Sequence, residues 1–219
     1  MIAHKSCSII ERIVDYRIVS RLLDEYLVTI RQIAAHGIQS NKTRTTMAEI
    51  LSLREAVERF VHDGDTVALE GFTHLIPTAA SHELIRQNKK DLTLVRMTPD
   101  LVYDLLIGAG CAKRLIFSWG GNPGVGSLHR LRDAVEKHWP HKLEISEHSH
   151  AAMANAYVAG ASNLPFAVLR GYQGSDLVKV NPDIKFIECP YTGESLATVP
   201  SVRPDVTVIH AQKADRKGN

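Results

Sequence analysis

The sequence predicts an α/β protein in which helices flank a largely parallel sheet, and two observations carry this prediction. Short apolar runs typical of buried strands recur along the chain from about residue 66 onward. Stretches of helical length, amphipathic or rich in alanine, separate several of these runs. Strands that alternate with helices typically pair in parallel, because each helix carries the chain back to the same end of the sheet.

The elements can be placed in chain order. Ser52, followed three residues later by Glu55, forms a capping box and predicts that a helix begins there. The predicted strands are Thr66–Leu69, Leu92–Arg96, Arg114–Phe117, Leu143–Ser146, Phe166–Leu169, Lys185–Ile187 and Val206–His210. The predicted helices between them are Thr78–Asn88, Pro99–Ala109, Leu128–Lys137 and Ala151–Ala159.

Residues 1–46 are predicted to form an N-terminal helical extension and linker ahead of the main domain, residues 47–219. Between Ser8 and Ala35, apolar residues recur among charged ones with roughly the 3.6-residue period of a helix. The polar stretch 37–46 is typical of a linker. Two interpretations stay open. The segment is either an upstream extension that is not native, with the natural start at Met47, or an oligomerisation helix.

Bulk properties restrict the classes of function. A chain of 219 residues that is 44% hydrophobic can bury one sizeable core. The net charge of +2, without a dense basic stripe, gives no indication of nucleic acid or an anionic membrane as partner. Cys7, Cys111 and Cys189 are far apart and form no Cys-x-x-Cys pair, which indicates free thiols in a reducing compartment such as the cytoplasm.

The stretch from Asp63 to Pro77 is the first candidate functional segment. Asp63-Gly64 favours a turn, and the short apolar run that follows is typical of a strand buried on both faces. Gly71 allows main-chain N–H groups to approach a ligand closely, and ligands of open α/β sheets bind at such strand ends. Glu70 must be paired, exposed to solvent in a cleft, or functional, because an isolated buried charge is costly.

Two further strand ends carry candidate residues. The glycine-rich loop that contains Gly120, Gly121 and Asn122 either cradles an anion or only shapes a tight crossover. The lysine of a nucleotide-triphosphatase loop is missing there, because Ser127 occupies its position. Glu147 and His148 are candidate polar groups of a pocket, and no metal is expected because His148 and His150 have no third ligand at suitable spacing.

The Asp63–Pro77 stretch also resembles the signature of family I coenzyme A transferases of the alpha type, in which Asp-Gly and an apolar run lead to Gly-Gly-Phe and a proline. The resemblance extends over Leu53–Val57, Asp91–Val95, Leu106–Gly110, Asn163–Phe166 and Arg203–Gln212. It is closest to alpha subunits of the glutaconate and 3-oxoacid CoA-transferase type. Two departures stand out: Glu70 replaces the first glycine, and Pro77 lies one residue nearer the phenylalanine.

The resemblance implies a fold similar to that of ribose-5-phosphate isomerase and glucosamine-6-phosphate deaminase, and a chain that is incomplete at its C-terminus. It implies CoA as a substrate, with no bound cofactor, and transfer of CoA between an acyl-CoA and a carboxylic acid. In such enzymes the nucleophilic glutamate belongs to a beta-type partner. Gly71 and Phe72 would then line the acyl pocket or stabilise an oxyanion, with Gly120, Gly121 and Asn122 as the opposing loop.

Two alternatives to CoA transfer stay open. Some relatives of these transferases are hydrolases that open the ring of a cyclic CoA thioester with an alpha-subunit carboxylate, and Glu147 would then be the general base. The other alternative is a regulator that senses a sugar phosphate, which would require a DNA-binding helix-turn-helix in the first 46 residues. The mixed charges of those residues disfavour it.

Overall fold

The computed structural model describes residues 27–31, 48–71, 75–122, 126–215 and 218, and for residues 27–31 it describes the backbone alone. Within these ranges the strands are β1 (Leu27–Arg31), β2 (Thr66–Glu70), β3 (Leu92–Val95), β4 (Ala112–Phe117), β5 (Glu144–Glu147), β6 (Phe166–Leu169), β7 (Lys185–Glu188), β8 (Ser195–Pro200) and β9 (Val206–Ala211). The helices are α1 (Leu53–Phe60), α2 (Thr78–Arg86), α3 (Leu101–Gly108), α4 (His129–Glu136), α5 (His150–Ala161) and α6 (Leu177–Val180).

The main sheet has six strands in the order β1-β9-β2-β3-β4-β5. Strands β9, β2, β3, β4 and β5 are parallel to their neighbours, and only β1 runs antiparallel, beside β9. The predicted α/β fold with a largely parallel sheet is therefore confirmed. Each of the predicted helices and strands from Thr66 onward is present, with ends within two residues of the predicted ones.

The capping box at the start of α1 is confirmed as well. The Ser52 hydroxyl accepts a hydrogen bond from the main-chain N–H of Glu55 at 3.2 Å, and the Glu55 carboxylate accepts one from the main-chain N–H of Ser52 at 3.0 Å. Two N–H groups that the helix cannot satisfy internally are paired in this way.

The N-terminal segment differs from its prediction where the structure describes it. Leu27–Arg31 form strand β1, with Thr29 opposite Ile209 of β9, rather than part of an amphipathic helix. The run Val28-Thr29-Ile30 consists of β-branched residues, which favour strands, and the free edge of β9 provides hydrogen-bonding partners. The rest of the predicted extension, residues 1–26 and 32–46, lies outside the described residues.

Helices α1 to α4 cover one face of the main sheet. The buried cluster on this side joins strand residues such as Leu69, Leu94 and Leu115 to helix residues such as Leu84 and Leu106. Each of these five side chains is at most 1% exposed. This is the larger apolar core of the described chain, and we call this side of the sheet the apolar face.

Helix α5 and a second sheet cover the opposite face. The second sheet has three antiparallel strands in the order β6-β8-β7. Met153 and Ala156 of α5 pack there with Val95 of the main sheet and Val199 of β8. The predicted strands at Phe166 and Lys185 therefore belong to a separate sheet. Strand β8, which follows β7 in the chain and lies between β6 and β7 in this sheet, was not predicted.

Helix length also bears on membrane insertion. In the part of the chain that the structure describes, no helix is both long enough and apolar enough to cross a bilayer.

Candidate functional site

The carboxyl ends of β2, β3, β4 and β5 meet at one edge of the main sheet, which we call the carboxyl edge. Because these strands are parallel neighbours, residues that follow them in the sequence are brought to the same edge. Glu70 and Gly71 lie there at the end of β2, Gly120 to Asn122 follow β4, and Glu147 and His148 follow β5. The strand ends identified from the sequence thus share one edge.

Gly71 occupies a position that no other residue could fill. Its φ is +152°, and a Cβ atom added to it would lie 2.0 Å from the carbonyl oxygen of Leu75. Contacts that short are sterically forbidden, so the chain needs a glycine here. Phe72, the neighbouring candidate, lies outside the described residues.

Arg96 fixes the Gly71 carbonyl and was not identified from the sequence. Its Nη2 donates a hydrogen bond to the Gly71 oxygen at 2.5 Å, and its Nη1 lies 2.9 Å from Oδ2 of Asp100. Arg96 is 3% exposed, so this pair is shielded from water and from screening by salt. The signal in the sequence was a lone arginine that ends the apolar run Leu92–Val95. A charge at such a place needs a buried partner.

Arg96, Asp100 and the Gly71 carbonyl form a polar cluster, and two tyrosines extend it. The hydroxyl of Tyr103, which is fully buried, bonds to the main-chain N–H of Leu69 at 3.0 Å and to the Val95 carbonyl at 2.8 Å. The Arg96 guanidinium lies over the Tyr103 ring, 5.6 Å from its centroid. The cluster therefore ties the ends of β2 and β3 to helix α3.

Glu70 is paired with the second tyrosine, Tyr157 of α5. The Tyr157 hydroxyl donates a hydrogen bond to Oε1 of Glu70 at 2.6 Å. Burial, and after it the charge of Glu70, raise the pKa of Tyr157, so the tyrosine remains a protonated donor at neutral pH. Of the alternatives that the sequence left open for Glu70, the structure shows pairing, with a partner that is 87 residues away.

The loop after β4 is tied to the start of helix α3. The side-chain oxygen of Asn122 accepts a hydrogen bond from the main-chain N–H of Leu101 at 3.0 Å, and the N–H of Gly121 donates to the Pro99 carbonyl at 3.1 Å. A Cβ atom on Gly121 would lie 2.7 Å from the ring of Trp119. The glycine and the asparagine thus have structural roles here, and the loop tip 123–125 lies outside the described residues.

Glu147 is exposed at the end of β5, the edge strand of the sheet. Its carboxylate makes no hydrogen bond or ion pair within the described part of the chain, whereas its main-chain carbonyl accepts a bond from Asn181 at 2.6 Å. Two strands lie between β5 and β2, so Glu147 is about 14 Å from Gly71 at the usual spacing of strands. The two candidates therefore stand at opposite ends of the carboxyl edge.

His148 lies in a different environment from its neighbour. It is 6% exposed, and its Nε2 lies 3.1 Å from the Ser146 hydroxyl. That hydroxyl donates to Oδ2 of Asp183 at 2.6 Å, and the same oxygen accepts from Arg114 at 2.5 Å. Burial lowers the pKa of His148, so its imidazole is neutral at pH 7.

His148 and His150 do not share a ligand site. Nδ1 of His150 lies 2.9 Å from the Ser118 hydroxyl, whereas His148 faces Ser146. Across the described residues, no three His, Cys, Asp or Glu side chains come together in a way that could hold a metal ion. The two histidines therefore have separate partners.

Comparison with known proteins identifies relatives of this chain. A protein-family model described as Coenzyme A transferase matches residues 50–219. The A subunit of the 3-oxoadipate CoA-transferase of Pseudomonas knackmussii is 86% identical over 173 residues, which are 79% of this chain and 61% of that protein. The A subunit of the glutaconate CoA-transferase of Acidaminococcus fermentans is 34% identical over 190 residues, which are 78% of this chain and 58% of that protein.

Solved structures give the same result. The crystal structure of glutaconate coenzyme A-transferase from Acidaminococcus fermentans superposes with a TM-score of 0.64 at 31% identity, covering 70% of this chain and 53% of that one. A variant of the AibA/AibB decarboxylase superposes with a TM-score of 0.63 at 31% identity, covering 71% and 59%. The chain thus spans about three fifths of the length of these relatives, or slightly less.

Proposed function

The chain belongs to the coenzyme A transferase family, and we propose that it is the alpha-type subunit of a heteromeric enzyme that transfers CoA between an acyl-CoA and a carboxylic acid. The observation that carries this proposal is the identity of 86% over 173 residues with the A subunit of a 3-oxoadipate CoA-transferase. We take 3-oxoadipate, or an acid of the same kind, as one of the two acids.

In the proposed reaction, a glutamate of a beta-type partner attacks the acyl-CoA carbonyl. The thioester bond breaks, an acyl-glutamyl anhydride forms and CoA leaves as the thiolate. The thiolate then attacks the glutamyl carbonyl, which releases the first acid and leaves a glutamyl-CoA thioester. The second acid opens this thioester by the same two steps in reverse, so each half-reaction is a nucleophilic substitution.

This chain would contribute backbone and pocket walls to that site. We assign Gly71 and Phe72 to the acyl pocket or to stabilisation of the oxyanion, and Gly120, Gly121 and Asn122 to the opposing loop. The contact from Arg96 supports the acyl-pocket role, because it holds the Gly71 carbonyl in one orientation. Stabilisation of an oxyanion would have to come from N–H donors, since a carbonyl oxygen only accepts hydrogen bonds.

The test uses the full-length chain co-expressed with its beta-type partner. A panel of acyl-CoA donors and acid acceptors that includes 3-oxoadipate is incubated with the purified complex, and the new acyl-CoA is followed by chromatography. We expect exchange by the complex and none by the chain alone. Turnover by the isolated chain would contradict the assignment of the nucleophile to a partner.

Glu147 separates transfer from hydrolysis. In a transferase Glu147 only helps to position the acid, so Glu147→Gln should lower turnover modestly. In a ring-opening hydrolase the same change removes the general base, which typically contributes about 10²–10⁴-fold in rate. Glu144→Gln is the matched control, because Glu144 is exposed on the same strand.

A second reaction class has one specific observation in its favour. The AibA/AibB structure, which matches at a TM-score of 0.63, is that of a decarboxylase. Release of CO₂ from an acyl-CoA by the complex, without exchange of CoA between acids, would replace the transferase assignment with a decarboxylase. The same incubations can be monitored for both products.

A further inference from the structure

The segment Pro99–Leu101, which connects β3 to α3, holds the loop after β4 by two hydrogen bonds. The Pro99 carbonyl accepts one from the main-chain N–H of Gly121 at 3.1 Å. The main-chain N–H of Leu101 donates the other to the side-chain oxygen of Asn122 at 3.0 Å. Both partners belong to the loop that we assign as the opposing wall of the acyl pocket.

Asp100, the middle residue of this segment, links it to the loop after β2. Its Oδ1 accepts the main-chain N–H of Val102 at 3.0 Å and so caps α3, and its Oδ2 lies 2.9 Å from Nη1 of Arg96. The other arm of the guanidinium, Nη2, donates to the Gly71 carbonyl at 2.5 Å. Asp100 and Arg96 are only 8% and 3% exposed, so water does not compete for these contacts. We call Pro99–Leu101 the bridge, because it connects the two loops.

The chemistry of the pair makes this connection specific. The planar fork of Arg96 donates in two fixed directions at once, whereas a lysine in its place would carry a single ammonium group on a flexible stem. The carboxylate of Asp100 likewise divides its two oxygens between the helix start and the arginine. Removal of either side chain would leave the other buried without its partner, which is costly. The pair therefore ties the start of α3 to the Gly71 loop in one arrangement.

We propose that Arg96 and Asp100 are positioning residues of the acyl pocket. Through the bridge they set the separation of the two loops, and with it the length of the acid that the pocket accepts. This inference rests on the proposed function, in which both loops line that pocket. A misplacement of about 1 Å can cost about 10²-fold in rate, and one methylene in an apolar pocket is worth about 10–200-fold. A change in the separation of the loops should therefore alter the preference among acids of different length.

The measured quantity is the ratio of kcat/KM values for two acids. Both values come from one preparation, so the fraction of folded enzyme cancels from the ratio. The full-length chain in complex with its beta-type partner is assayed with one acyl-CoA donor and with succinate, glutarate or adipate, which lengthen by one methylene at a time. We expect Asp100→Asn to change the ratio between the best acid and its neighbour at least about tenfold. Asparagine is a good N-cap residue and can retain the cap on α3, but it lacks the charge that pairs with Arg96.

Glu83→Gln is the matched control, because Glu83 is also 8% exposed and also pairs with an arginine. Its side-chain partners are Arg86 and Gln87 at the end of α2, so it should leave the ratio unchanged whatever it costs in stability. Arg96→Lys is the second variant, and it decides the test if Asp100→Asn does not fold. It keeps the charge but not the fork, so it should also shift the ratio. An unchanged ratio in either variant that folds would overturn the inference.

Hydrogen exchange distinguishes a failure of this inference from a failure of the proposed function. If the unaltered complex transfers CoA to no acid, the proposed function fails, and the coupling of the loops is then judged from the main-chain N–H of Gly121, which bonds to Pro99. This N–H should exchange faster in Asp100→Asn than in the unaltered protein, and at the unaltered rate in Glu83→Gln. Exchange at the same rate in all three proteins would contradict the bridge.

Discussion

The two faces of the main sheet are built from the same strands but differ in chemistry. On the apolar face, alternate residues such as Val67, Leu69 and Leu94 are fully buried against helices α1 to α4. On the other face the intervening positions include Thr66, Glu70 and Arg114, which are only partly buried. We call this second side the polar face.

The two faces also obtain their partners differently. The apolar face is covered by helices that connect consecutive strands, so its contacts follow directly from the β–α–β order. The polar groups of the second face are paired by residues far along the chain: Glu70 by Tyr157, and Arg114 by Asp183. The difference teaches that one face stabilises the sheet, whereas the other holds the polar groups from which a site can be built.

The largest effect is expected on the apolar face. Leu94→Ala removes a fully buried side chain from the centre of the sheet and should lower the free energy of unfolding by about 2–5 kcal/mol, because it leaves a cavity. Val168→Ala is the control, since Val168 is 43% exposed on the second sheet and its truncation should cost much less. Urea unfolding of both variants measures the difference. Similar losses for the two would argue that the apolar face is not the principal core.

The next largest effect is expected for the Glu70–Tyr157 pair on the polar face. Tyr157→Phe removes only the hydroxyl that bonds to Glu70, so a half-buried carboxylate loses its donor and stability should fall by about 1–3 kcal/mol. In a Glu70→Gln background the same change should cost less, because the charge is absent. The interaction term of this double-mutant cycle is the measurement. A term of zero would show that the two side chains do not interact in solution.

A smaller effect is expected where α1 begins. Ser52→Ala breaks the capping box and should cost about 1 kcal/mol, seen as a small decrease in the melting temperature. Ser52→Asp, which can cap the same N–H group, is expected to retain most of the stability.

The smallest effect, the contribution of His148 to stability, should be seen only at acidic pH. The pKa of His148 is lowered in the folded chain, mainly by burial, so the unfolded chain takes up a proton first as the pH falls below about 6.5. Its neutral form therefore contributes stability above that pH, and this contribution is lost progressively below it. Urea unfolding between about pH 5 and 7 should show a shallower decline for His148→Gln than for the unaltered protein. Parallel curves would argue against a shifted histidine.

Much of the fold could be predicted from the sequence because the apolar face leaves a local pattern. The run Val67-Ala68-Leu69 and the capping box at Ser52 are signals within a few residues, and both led to the correct element. Strand β8 was missed although Leu196-Ala197-Thr198-Val199 is a short apolar run of the same kind. Its pairing depends on β6 and β7, which provide the hydrogen bonds on both of its edges.

The candidate site could be predicted only in part, for the same physical reason. Strand ends are visible in a sequence, so Gly71 and Glu147 were found at the carboxyl edge. The partners were not, because Arg96, Tyr157 and Asp183 acquire their roles from contacts between distant elements. The helix predicted around residues 27–31 failed where a free strand edge outweighed a weak helical pattern.

The most direct test of the proposed function is to look for the covalent intermediate on the partner. The complex of the full-length chain with its beta-type partner is incubated with an acyl-CoA, treated with borohydride, and both polypeptides are weighed by mass spectrometry. Reduction of a glutamyl-CoA thioester converts that glutamate to an alcohol. The change should therefore appear at one glutamate of the partner and nowhere in this chain. The same modification on this chain, or turnover without any modification of the partner, would contradict the account.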